Sequence, residues 1–135
     1  SRVNMAQLNW TEEEIYLLAD RAYALYRQGR YPEAVVIFEG LTAIEPSNTY
    51  CRAALATVCM ALGESQRAVK ELSFILNQNP ADHEARARRC EAFCDLQNWS
   101  DARQDLAVLR AQGERHHVHR LSWRLHAAGA SGSNP

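Results

Sequence analysis

The 135-residue chain has almost no lysine: Lys70 stands alone, and arginine supplies the other fourteen of its fifteen bases. Against sixteen acids this leaves a net charge of −1, which excludes the basic balance of a nucleic-acid binder. Aromatic residues make up only 8%, which argues against a β-sandwich core. No apolar run nears the roughly 18 residues that a bilayer-spanning helix needs. No charged-then-apolar secretory signal opens the chain. Neither a glycine-rich phosphate loop nor a G-x-S-x-G elbow is present, so the usual signatures of phosphoryl and acyl transfer are missing. The four cysteines, Cys51, Cys59, Cys90 and Cys94, do not form a disulfide framework. They read as small, reduced core residues and favour a cytoplasmic location.

What is present is alanine and a period. Apolar residues are 47% and charged residues 23%, as in a folded domain, and 21 residues are alanine. Close helix packing follows from so many small side chains. Shifting the chain by 34 residues aligns Pro46 with Pro80, and Gly29 with Gly63 and then Gln97. It also aligns Ala34 with Ala68 and Ala102, and Phe38 with Leu72 and Leu106. Each unit reads as two helices and a turn. Gly29 suits a left-handed C-cap. Pro32 suits a first turn, and Pro46 stops the second helix. The small alanine lets two backbones approach, and the bulky residue four positions on fills the gap between units. Such a unit cannot bury its apolar face alone and needs stacked neighbours.

The expected organisation is an N-terminal extension with the first helix start over 1–14, then units over 15–48, 49–82 and 83–114. A capping helix follows over 115–128 and a disordered tail over 129–135. The third unit is degenerate, with Gln97-Asn98 in place of the turn glycine and Gly113-Glu114 in place of the closing proline. Thr11 with Glu14 forms a capping-box pattern, so the first helix begins at Glu12. Val3, Met5, Leu8 and Trp10 are too apolar for a plain linker and point to packing on the first unit or on a partner.

The stretch "LADRAYALYRQGRYPEAVVIFEGLTAIEPSN" resembles a tetratricopeptide repeat through A-x-x-L-Y-x-x-G-x-Y-x-x-A-x-x-x-F and the closing Pro46. The second unit matches with a weaker first helix, the third through Phe93, Trp99, Ala102 and Leu106. The resemblance covers roughly three-quarters of the chain. It implies an all-α solenoid of three stacked helix–turn–helix units with a C-terminal capping helix. It is specific for fold and weak for function. Leu18 to Phe38, "LADRAYALYRQGRYPEAVVIF", also resembles the first repeat of the bacterial type III secretion chaperones that guard translocator proteins. That resemblance implies a cytoplasmic, often dimeric chaperone holding an apolar client segment, with Tyr23 and Tyr26 as groove residues.

Stacked helix pairs twist into a superhelix whose concave face is lined by the first helix of each unit. Helical spacing places Tyr16, Ala19, Tyr23, Tyr26 and Arg27 on that face in the first unit. Tyr50, Ala53, Thr57, Met60 and Ala61 follow in the second, and Glu84, Ala87, Glu91, Cys94 and Asp95 in the third. Tyrosines with small neighbours suit an extended peptide with apolar anchors, and the acidic third unit suits a basic end. Tetratricopeptide domains that bind the acidic C-termini of heat-shock chaperones use a lysine and asparagine clamp. The matching positions here are Ala19, Tyr23, Ala54, Glu84 and Arg88, of which only Arg88 is compatible.

Other clusters read as structural. Glu12, Glu13 and Glu14 complement a helix dipole. Cys90 and Cys94 share a helix face but lack the partners of a zinc site. His116, His117, His119 and His126 lie on the capping helix, and Arg86, Arg88 and Arg89 read as a solvated face. Residues 1–48 carry −3 and residues 83–135 carry +2, a mild polarity.

The leading expectation is a non-catalytic peptide-binding chaperone for a secretion substrate. It needs no cofactor, metal, nucleic acid or membrane. A protein client is its partner, with a homodimer or heterodimer through the N-terminal segment. The alternative is a scaffold or assembly subunit, such as a needle-subunit co-chaperone, acting through its N-terminal or convex surface. A metal-dependent enzyme using the cysteines and histidines is the third.

Overall fold

A computed structural model of the protein describes residues 9–130. Val3, Met5 and Leu8, and the end of the expected tail at 131–135, lie outside the described residues. Among those described there are seven helices and no strand. They are α1 (Glu12–Arg27), α2 (Tyr31–Ile44), α3 (Thr49–Ala61), α4 (Ser65–Gln78), α5 (His83–Asp95), α6 (Trp99–Ala111) and α7 (Arg115–Ala130). The fold is all-α, of the helix–turn–helix kind that the 34-residue period implies.

Local chemistry sets the ends of these helices. Thr11 Oγ1 accepts from the Glu14 amide at 3.1 Å, and Glu14 Oε1 accepts from the Thr11 amide at 3.0 Å, closing the capping box. Asn48 and Asp82 cap α3 and α5 by accepting from the Cys51 and Ala85 amides. The ends of α1, α3, α5 and α6 share one device. The amides of Arg30, Glu64, Asn98 and Glu114 reach back to the carbonyls of Leu25, Cys59, Phe93 and Leu109. These are Schellman motifs, which need a left-handed residue. Gly29, Gly63 and Gly113 supply it with φ of 77°, 77° and 75°. In the degenerate third unit Gln97 takes the same conformation at φ 57°, so the turn survives without its glycine.

The chain divides into two compact units between Glu64 and Ser65. In the first, α2 packs on both α1 and α3. Ala22, Ala34, Phe38, Leu41 and Val58 are fully enclosed there. In the second, α5 packs on α4 and α6, and α7 covers α5 and α6. Its core gathers Ala87, Cys90, Cys94, Ala102, Leu106, Leu109, Leu121 and Leu125, with Phe93, Trp99 and Val118 packed against it. The compact units are therefore not the sequence repeats. The second helix of one repeat buries its face on the first helix of the next, as α2 does on α3 and α4 on α5.

Helix α7 runs two residues past the expected end at 128. Gly129 costs about 1 kcal/mol relative to alanine in a helix interior, and Gly129 and Ala130 stay helical.

Candidate peptide-binding face

In the first unit α1 and α3 carry an aromatic face. Tyr16 and Tyr50 are 57% and 50% exposed. They line a cleft of about 180 Å³ with Glu12, Ile15, Ala19, Glu45, Asn48 and Cys51. Ala19 is only 2% exposed, so it forms the floor and leaves the space open. Tyr23 is half-buried and lies 6.1 Å from the Tyr50 ring. It also packs edge-to-face on the enclosed Phe38 at 5.2 Å. Arg27 lies 5.9 Å over Tyr23, within cation–π range.

The anchoring of Tyr23 matters for chemistry. Its ring is positioned by the core through Phe38 and lies beside Tyr50. A rigid aromatic of this kind loses little entropy on binding. Tyr26, expected on the same face, instead stacks at 5.5 Å against Tyr31 of α2. On α3, Ala53, Thr57 and Met60 follow Tyr50 on one face and are half-buried, while Ala61 is exposed. Thr57 turns its hydroxyl back to the Ala53 carbonyl at 3.0 Å. The cleft rim carries two carboxylates, Glu12 and Glu45, and Glu45 accepts from Asn48 Nδ2 at 2.9 Å.

The expected residues of the third repeat lie in different surroundings. Ala87 and Cys94 are 1% and 2% exposed, inside the core beneath α7. Glu84 accepts from His117 at 2.8 Å, Glu91 from Arg120 at 3.2 Å, and Asp95 pairs with Arg124. The acidic face that sequence spacing offered to a basic client end is thus answered by α7 itself. The hydrogen bond from His117 holds the Glu84 carboxyl below its ordinary value.

Two further corrections concern side chains read as a solvated face or as structural. Arg86 and Arg89 do not form a solvated patch. They converge on Asp105, a buried carboxylate on α6 that the sequence reading did not single out. Arg89 donates to it from Nε at 2.9 Å and from Nη2 at 2.7 Å, and Arg86 adds a bond at 3.2 Å. Arg86 and Arg52, one period apart, also both donate to a proline carbonyl, of Pro80 and Pro46. An arginine recurring 34 residues on was the available signal. Finally, His117 faces Glu84 and His83 faces Glu114, at 2.8 Å and 3.4 Å, while His116, His119 and His126 remain exposed.

All four cysteines are buried, and none forms a disulfide. The hydrogen bond to Cys94 and burial push the Cys90 thiol well up, which disfavours a reactive thiolate. Among the described residues no group of three or more His, Cys, Asp or Glu is placed to hold a metal ion. No described helix is long and apolar enough to cross a membrane.

Residues 25–87 match the tetratricopeptide repeat family model. The TPR repeat-containing thioredoxin TTL4 of Arabidopsis thaliana is 29% identical over 84 residues, which is 62% of this chain and 12% of that protein. The chain therefore spans a small fraction of that relative's length. PcrH from Pseudomonas aeruginosa aligns with a TM-score of 0.76 at 17% identity, over 88% of this chain and 94% of that one. The Yersinia enterocolitica type III secretion chaperone SycD, in complex with a peptide of the translocator YopD, aligns at 0.78 with 16% identity, over 91% and 98%. The first TPR of Spaghetti (RPAP3), bound to an HSP90 peptide, aligns at 0.78 with 20% identity, over 89% and 96%. Residues 25–87 thus resemble tetratricopeptide-repeat sequence, set in an all-α fold similar to that of PcrH and of the type III secretion chaperone SycD.

Proposed function

We propose that the protein is a non-catalytic, cytoplasmic chaperone that binds an extended apolar segment of a protein client, of the kind exported by type III secretion. The observation that carries this reading is the pair of exposed tyrosines, Tyr16 and Tyr50, set around a cleft floored by Ala19, with Tyr23 fixed beside them. Exposed tyrosines are costly to leave in water and are favoured anchors for apolar peptide groups. Arg27, Ala53, Thr57 and Met60 extend the proposed contact face along α1 and α3, and Tyr26 with Tyr31 forms its margin. The carboxylates Glu12 and Glu45 at the rim suit a client with a basic residue beside its apolar anchor, and disfavour the acidic peptide end of a heat-shock chaperone. Several proteins of similar fold were crystallised with peptides, including PcrH with the chaperone-binding region of PopD.

The test is a binding titration of fluorescently tagged peptides of the PopD and YopD type against the wild-type chain and Tyr16→Ala/Tyr50→Ala. Both tyrosines are half exposed, so the double variant keeps its helical content. Losing two aromatic anchors is expected to weaken binding at least ten-fold, about 1.4 kcal/mol. Equal binding by the folded variant removes the assignment.

A second reading is self-assembly or scaffolding through the outer face of the first unit. Leu17 and Val36 motivate it, being 62% and 63% exposed. A Leu17→Glu/Val36→Glu variant whose mass in solution equals the wild-type mass at every concentration would count against it.

A further inference from the structure

We infer that the outward face of α7 is a docking surface for an acidic helical segment of a partner protein with a bulky apolar anchor. Helix α7 holds three arginines and four histidines and no acid. At about 100° per residue these fall on different flanks. Leu121, Leu125 and Ala128 face the core. On one flank His117, Arg120 and Arg124 are each met by a carboxylate of α5. On the opposite flank Arg115, His119 and His126 are exposed and meet no acid among the described residues.

That unanswered flank also holds Trp123, 65% exposed. The rings of His119 and His126 stand edge-on to it, at 6.5 Å and 86°, and at 6.4 Å and 90°. The indole is therefore propped between two imidazoles rather than laid on the core. A shallow concavity of about 530 Å³ opens there, lined by these three residues with Arg115, Val118 and Ser122. A tryptophan in a polar ring beside an arginine is the composition of an interface hot spot.

The partner's chemistry follows from how the molecule already covers the other flank. There α5 sets acids at i, i+7 and i+11 (Glu84, Glu91, Asp95) against bases of α7. Arg115, His119 and His126 stand at i, i+4 and i+11 on the free flank, the α5 acid spacing read in reverse, so the complementary occupant is an acidic helix running antiparallel to α7. Its apolar residue would fill the space beside Trp123. One permanent cation and one large apolar side chain are too few to hold a bilayer surface, which takes a wide apolar face and several bases. A second α7 is a poor occupant, because it would bring bases to bases.

The probe is an alanine-based helical peptide with Glu at i, i+7 and i+11 and a leucine pair between them. A control peptide carries Lys for Glu. Binding is read from the three tryptophan indole N–H signals by NMR, with Trp123→Phe assigning its own. The Glu peptide should move the Trp123 signal and leave Trp99 in place. Affinity should fall about ten-fold in Trp123→Ala and in Arg115→Glu, and fall again in high salt. Exposed positions keep these variants folded, which circular dichroism verifies. The inference fails if the Glu peptide at millimolar concentration moves nothing, if the Lys peptide binds as well, or if Arg115→Glu binds unchanged. It also fails if Trp123 shifts with protein concentration alone, which would mean a second copy. Response to phosphatidylserine vesicles but not to the Glu peptide would mean a membrane and overturn it equally.

Discussion

Asp105 is the residue on which the second unit depends most for its polar order. Its side chain is 3% exposed and takes three hydrogen bonds from Arg86 and Arg89. Removing one partner of a buried pair strands the other charge. Asp105→Ala should therefore cost about 3–5 kcal/mol, read by urea unfolding; a loss under 1 kcal/mol would mean that water reaches the arginines. The left-handed Gln97 makes the opposite prediction. A side chain at φ 57° is strained where glycine is not. Gln97→Gly should stabilise the chain by about 0.5–1 kcal/mol after the entropy of the added glycine is subtracted. Unchanged or lowered stability would show that the Gln97 side chain does more than complete the turn. Gln97 was legible in sequence, because the 34-residue period sets it on Gly29 and Gly63, whereas Asp105 was not. Polar positions inside a helical period look like solvent positions until their partners, 16 and 19 residues away for Asp105, are in place.

At the scale of elements, helix ends were legible because a few residues determine them locally. Thr11 and Glu14, Gly29 and Gly63, and Pro46 and Pro80 each act within about five residues of themselves. The fate of α5 was not legible, because it depends on α7. Spacing put Glu84, Glu91 and Asp95 on one helix face, and packing pairs all three with α7. This pairing is pH-dependent through Glu84, whose carboxyl is held below its ordinary value by His117. A carboxyl lowered in the folded state contributes stability above its unfolded value and loses it as pH falls through the lower folded one. The protection of α7 amides, taken relative to their intrinsic exchange rates, should therefore fall on acidification below about pH 4.5, the ordinary carboxylate range. Glu84→Gln should blunt that response. The same loss of protection in the variant would mean that Glu84 does not carry the response.

For the molecule as a whole, the 34-residue period was the strongest signal, since it appears in side-chain size, turn residues and proline together. It gave the all-α class and the order of the helices. The division into compact units between α3 and α4 did not follow from it, because burial in stacked repeats runs across repeat boundaries. Function was less legible still. Tetratricopeptide repeats specify how helices stack, while what they hold is decided by a handful of exposed side chains. Here helical spacing offered fifteen candidates, with Tyr23 and Tyr26 foremost by resemblance. Packing separates Tyr16 and Tyr50, which line one cleft, and Tyr23 beside Tyr50, from Ala87 in the core and from Glu84 and Glu91 in ion pairs.

The most direct measurement is the affinity of an extended translocator-type peptide for the wild-type chain and for Tyr16→Ala/Tyr50→Ala, with helical content verified in both. The proposed chaperone role predicts saturable binding to the wild type and at least ten-fold weaker binding to the variant. Full-strength binding by the folded variant would contradict the α1–α3 face, and no binding by either protein would contradict the role itself.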